Sequence, residues 1–330
     1  MKQRAHTWIA ARAVGLLETE GQVPGLVDLL APHVKEAAIG AWLPDLSDAR
    51  LGSAKVDNHV LKMKPVAPAL THFRITKQDL LVRLTPERML TAFLDRDTIL
   101  DAAWWDQPYK AYPAPGQHLA NRAMALTVTV VDLLLFGDRE VTDLVPGPTT
   151  FEGRLAPPQL TRAEQAAMHF FMLSHFVADA SMPLHCDARK LAAYGAGLHM
   201  EMESHWDRQV GTPFDKGHAK WQKMKAGQVI PAARNLDAKF GITFAGRVPE
   251  LYAADAWAEV VHQCRASFAL ASILAPPAQF HYGDETARAP FDTVFGGAAG
   301  QALLAEVDRI ILHDAVLNVA MVWKDIWKRF

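Results

Sequence analysis

Residues 175–185, HFVADASMPLH, and 197–207, GLHMEMESHWD, decide how this chain is read. His175 and Asp179 are four residues apart, so on a helix they share a face. Thr161 stands three residues before Glu164 as a capping box, and a helix is expected from there through Met168, Leu173 and Phe176 to about Ala180. Pro183 breaks it, and His185 follows six residues after Asp179. A Gly-containing loop, KLAAYGAG, leads to a second helix expected over 198–210, where His199 and Glu203 are again four apart. Five polar groups thus fall beside Phe170, Phe171, Leu173, Phe176 and Met182. Burying them is costly unless they are paired or bound to a metal ion. An imidazole and a carboxylate at i, i+4 lean the same way and can hold one Zn²⁺, and two such pairs with a third histidine between them point to more than one ion.

Helical periodicity extends outward from this segment. Trp8, Ile9, Ala13, Leu16 and Leu17 form one apolar face. The stretch 23–41 reads the same way, up to a WLPDL turn where Pro44 disfavours helix. A polar loop is expected over 47–69 and a helix over 76–93. An aromatic loop with Trp104 and Trp105 comes next, then a helix from about His118 to Phe136. Further helices are expected over 253–274 and 302–327. The reading is all-α, a multi-helix bundle. The Pro-rich loops separate helices that can share one core, so residues 1–330 are read as a single domain.

The chain has 330 residues, half of them hydrophobic, and a formal net charge of −2. That balance offers neither a basic footprint for nucleic acid nor a polybasic membrane anchor. Two cysteines, Cys186 and Cys264, exclude a disulfide framework. A reducing, cytoplasmic compartment fits the chain as it stands, and a secreted or periplasmic one if a leader has been removed. Cys186 reads as a buried thiol. His205 and Asp207 read either as supports of the ligands or as solvent-facing groups.

The central motif resembles the zinc-dependent phospholipase C superfamily, which also contains single-strand-specific zinc nucleases. Its pattern is His–x3–Asp–x5–His, a loop, then His–x3–Glu or Asp. AHTWIAARAVGLL is similar to the family's first helix, with His6 as its metal-binding histidine, and IGAWLPDL is similar to its Pro–Asp turn, with Asp45. The resemblance implies a single-domain multi-helix bundle with a cluster of two or three zinc ions in a cleft. One would sit on His185, His199 and Glu203. A second would sit on Asp45, a loop histidine, His175 and Asp179. A third would sit on His6 and Asp179, with Asp179 bridging. Spacing from the Pro–Asp turn favours His59 as the loop histidine, and a following aromatic residue favours His72; the expectation leans to His72. In secreted members an N-terminal Trp completes the third site. Here the Met1 amine takes that place, or the site is incomplete and two zincs bind.

The activity implied is phosphodiester hydrolysis of the phospholipase C type, by a metal-activated water attacking phosphorus. Asp45 is the candidate catalytic residue, as a zinc ligand or as the group that orients the water. Trp104 and Trp105 are candidates for receiving an acyl or aryl part of the substrate. The expected partners are a phospholipid or other phosphodiester, with peripheral membrane contact. Nucleic acid is less favoured, because Glu203 stands where the nucleases usually have Asp and the YGAGLH context is phospholipase-like. Leu46, after Asp45, replaces the aromatic of choline-specific members, which speaks against a choline cage. A non-catalytic zinc-stabilised helical protein is the reading from another class.

Overall fold

The computed structural model describes residues 1–48, 59–62, 118–135, 161–187, 189, 191, 197–244, 246–275 and 290–330. The described residues are all-α. The helices are α1 (Gln3–Glu20), α2 (Pro24–Leu30), α3 (Ala37–Gly40), α4 (Leu43–Asp48), α5 (Leu119–Leu135), α6 (Arg162–Ala180) and α7 (Pro183–Cys186). They continue with α8 (Leu198–Val210), α9 (Ala219–Lys223), α10 (Ala226–Arg234), α11 (Asp237–Phe240), α12 (Ala256–Leu274), α13 (Phe291–Phe295) and α14 (Gly297–Arg329). Among these residues no helix is long and apolar enough to cross a membrane.

Local sequence explains several boundaries. α6 opens on the expected capping box: the Glu164 N–H donates to Thr161 Oγ1 at 3.2 Å, and the Thr161 N–H donates to Glu164 Oε2 at 2.6 Å. α1 stops at Gly21, whose φ of 62° lies in the left-handed region that glycine enters without steric penalty. The stretch 23–41, expected as one continuous helix, is broken. Pro32 sits in a 3₁₀ turn over Ala31–Glu36 between α2 and α3, because its ring removes a backbone donor from the α ladder. Pro44, expected to disfavour helix, lies in the first turn of α4, where a missing N–H costs nothing. The helices expected over 253–274 and 302–327 are α12 and the longer α14. The helix expected over 76–93 lies outside the described residues.

One buried hydrophobic cluster contains side chains from Met1 to Ile326. α1 is buried along most of its length and packs on α14, α10, α6 and α8. Trp323 of α14 meets Phe170 and Phe171 of α6, each at 6.0 Å between ring centres, and donates its Nε1–H to the Phe170 carbonyl at 3.0 Å. Full burial of such aromatic and aliphatic side chains is worth roughly 1.5–3 kcal/mol each. Their packing fixes α1, α6 and α14 against one another. That matters for function, because the polar groups below project from α1, α6, α7 and α8.

Candidate metal centre

α6 carries His175 and Asp179 on one face, and both are buried. The His175 Nδ1–H donates to the Ala41 carbonyl at 2.7 Å. A carbonyl only accepts, so the proton is on Nδ1 and Nε2 presents a bare lone pair. Fixing an imidazole from behind in this way is what metal-ligating histidines require. The Ala41 carbonyl is held in place by close approach. A Cβ at Gly40 would lie 2.5 Å from Cβ of Phe171, so only glycine lets α3 lie this near α6.

Asp179 is the hub. Its Oδ1 lies 3.1 Å from the Met1 nitrogen, 3.4 Å from His6 Nε2 and 3.4 Å from His185 Nδ1. Its Oδ2 lies 3.1 Å from His59 Nδ1 and 3.2 Å from His175 Nε2. Asp45 Oδ1, from the first turn of α4, is 3.9 Å from both His59 Nδ1 and His175 Nε2. At the other end, Glu203 Oε1 on α8 meets His185 Nε2 at 3.2 Å, His199 Nε2 at 3.1 Å and the Met1 nitrogen at 2.9 Å. Three groups therefore present ligand atoms close enough to hold a metal ion: His6, His175 and Asp179; Asp45, His59 and His175; His185, His199 and Glu203.

The donor chemistry fits metal ions better than it fits hydrogen bonding. Both ring nitrogens of His6 and Nδ1 of His185 are buried without a hydrogen-bond partner, although Asp179 is near each histidine. Orphaned buried donors are rare. His175 Nε2 and His59 Nδ1 point at each other across 2.9 Å. Imidazoles facing one another over carboxylates satisfy all these groups at once if cations lie between them.

The electrostatics agree. Burial pushes the His6 pKa well below the ordinary histidine value, and neighbouring His175 pushes it further. Burial likewise lowers His185, to about 4, so both imidazoles are neutral and have lone pairs to give. Burial favours protonated Asp179 and Glu203, but the Met1 ammonium and the adjacent histidines outweigh it and hold both carboxyls well below the usual range. Burial disfavours the charged Met1 amine, yet Asp179 and Glu203 hold its pKa up at about 11.

His6, Asp45, His175, Asp179, His185, His199 and Glu203 are all brought together. His59 joins Asp45 and His175. His72, toward which the sequence leaned, lies outside the described residues, as do Trp104 and Trp105. His205 and Asp207 lie near the ligands in sequence but serve the frame. His205 Nε2–H donates to Asp308 Oδ2 at 2.6 Å, and Asp207 Oδ1 accepts the Arg4 N–H at 2.7 Å, tying α8 to α14 and α1. The Cys186 thiol is buried, as expected. Sequence reasoning did not select Lys62 or Arg122, which flank the His59 segment; no spacing marks either.

The ligands differ in access. Asp179 and His6 are closed off, whereas the side chains of His199, Asp45 and Glu203 are 31 %, 21 % and 15 % exposed. The centre therefore reaches solvent through those three side chains. Comparison of the chain with models of known families, with curated proteins and with solved structures returned no match.

Proposed function

We propose that this chain is a zinc-dependent phosphodiester hydrolase of the phospholipase C type, as its resemblance to that superfamily implies. The observation that supports this most is the convergence of three ligand groups around Asp179, closed off at Asp179 and His6 and reaching solvent at His199 and Glu203. A metal that serves only the fold is normally enclosed by four protein ligands. Here His185, His199 and Glu203 offer three, and two of them reach solvent.

Zinc suits the donor set because borderline-soft Zn²⁺ takes imidazole and carboxylate together. When bound, such ions neutralise phosphoryl oxygens and lower the pKa of water to about 7. The chain's own residues do the rest. Asp45, Asp179 and Glu203 carry one negative charge each, so two divalent ions already make the centre net positive and attractive to a phosphodiester anion. The Ala41 carbonyl and the helix pairs hold the imidazoles in a single orientation. Asp45, partly exposed in the first turn of α4, would hold an ion or orient the attacking water.

A lipid or small aryl diester is favoured over a nucleic acid. A chain at −2 overall has little basic surface to track a polyanion. Leu46 and Met200, which follow Asp45 and His199 in the chain, are exposed apolar side chains, at 42 % and 57 %.

The test compares turnover of a phospholipid in mixed micelles, an aryl phosphodiester and single-stranded DNA at equal zinc loading. The lipid or aryl ester should be cleaved in preference. Efficient cleavage of DNA alone would move the protein to the nuclease branch. Inactivity on all three with zinc bound would make the metals structural.

A further inference from the structure

Among the described residues, two cations beside the ligand group form no ion pair, although Asp187 and Glu203 lie near enough to Lys62 to act on its charge. Arg122, one turn into α5, takes part in no ion pair there, and its buried Nε has no hydrogen-bond partner. Its guanidinium carbon lies 5.8 Å from the centre of the Phe176 ring. The His59 ring centre lies 5.2 Å from that same ring, so arginine and candidate ligand share one aromatic neighbour. Lys62 follows His59 by three residues and gives one N–H to the Leu184 carbonyl. Asp187, a nearby carboxylate, is already bound by both Nε and Nη2 of Arg189. The helix end adds to this charge: the Leu119 N–H donates to the Val60 carbonyl at 3.1 Å, which seats the positive N-terminus of α5 against the segment 59–62.

Holding a guanidinium half-buried without an ion-pair partner is costly. An unpaired guanidinium beside an aromatic ring is also a group well suited to bidentate recognition of phosphate or carboxylate. We propose that Arg122 and Lys62 form an anion-binding subsite next to the metal-ligand group, which takes a second phosphate or carboxylate of the substrate. The subsite rests on the phosphodiesterase reading and narrows it. Preferred substrates are diesters whose alcohol portion itself carries an anionic group, with the scissile phosphate at the metal ligands and the second anion at Arg122.

The test uses the zinc-loaded full chain and two 4-nitrophenyl phosphodiesters, one with a neutral alcohol and one whose alcohol bears a phosphomonoester. Charged hydrogen bonds of this kind are worth roughly ten-fold or more. The wild type should therefore prefer the charged ester by about that factor in kcat/KM. Arg122→Gln should lose most of the preference through a raised KM, Arg122→Lys should keep part of it, and Lys62→Gln should weaken it. A second arm measures, by calorimetry, binding of pentane-1,5-bisphosphonate against pentylphosphonate. The bisphosphonate should bind more tightly to the wild type and lose that advantage in Arg122→Gln. No preference in either arm, or variants that lose affinity for both members of a pair equally, would overturn the subsite. If no ester is turned over while Arg122→Gln still abolishes the bisphosphonate advantage, the subsite stands and the hydrolase reading fails.

Discussion

Replacing Asp179 with Asn should disable the metal centre more thoroughly than replacing Glu203 with Gln. Asp179 Oδ1 faces His6 and His185, and its Oδ2 faces His59 and His175, so its two oxygens look into different ligand groups. Glu203 uses a single oxygen, Oε1, toward His185 and His199. The amide introduced by Asp179→Asn keeps one acceptor oxygen and turns the other into an NH₂ donor, which cannot bind a cation. It also removes a negative charge from the middle of the cluster. Loss of a group that merely supports a ligand weakens metal binding about 10- to 100-fold, and loss of a direct ligand should cost at least the upper end of that range. For Asp179→Asn the loss falls on two ligand groups, and for Glu203→Gln on one. Elemental analysis after equilibrium dialysis at fixed free zinc reads this directly, with circular dichroism to confirm folding. The wild type should hold two or three ions, Glu203→Gln one fewer, and Asp179→Asn two fewer. Equal losses in the two variants would refute the bridging role and make the sites independent.

His59→Ala should lose zinc and phosphodiesterase activity, whereas His72→Ala should stay near wild type in both; the reverse result would remove His59 from the ligand set. In metal-stripped protein, acid should destabilise the fold from about pH 6.5 downward. His185 has a folded pKa of about 4, below its unfolded value, so between those values the unfolded chain binds the proton and the folded one does not. Stability should fall by about 3 kcal/mol over that window, with His6 adding in the same direction, and urea melts at several pH values that show no slope there would contradict it. Gly40→Ala should cost roughly 1–3 kcal/mol, because the new Cβ meets Phe171 and Met168, and it should lower zinc affinity by displacing the Ala41 carbonyl from His175. Destabilisation with unchanged metal binding would show that the carbonyl contact is dispensable.

Features that depend on near neighbours were legible in the sequence alone. The capping box at Thr161 and the i, i+4 pairs His175/Asp179 and His199/Glu203 are fixed by helix geometry over a few residues, and all are present in the fold. The all-α class followed from the same periodicity. The break at Pro32 and the start of α4 at Pro44 were less legible, because the position of a proline within a turn decides whether it ends a helix or begins one.

Which distant groups meet became visible only once the helices were packed. A loop histidine has no periodicity to place it, so spacing and context could not separate His59 from His72; the pairing of the segment 59–62 with α7 and α5 brings His59 to Asp45 and His175. The Ala41 carbonyl and the cations Lys62 and Arg122 carry no sequence signal at all, and the Met1 nitrogen entered only as one of two alternatives. These groups come together because α1, α3 and α5 pack against α6 and the segment 59–62 is tied to α7 and α5, and contacts of that range are set by the packing of whole helices rather than by local spacing.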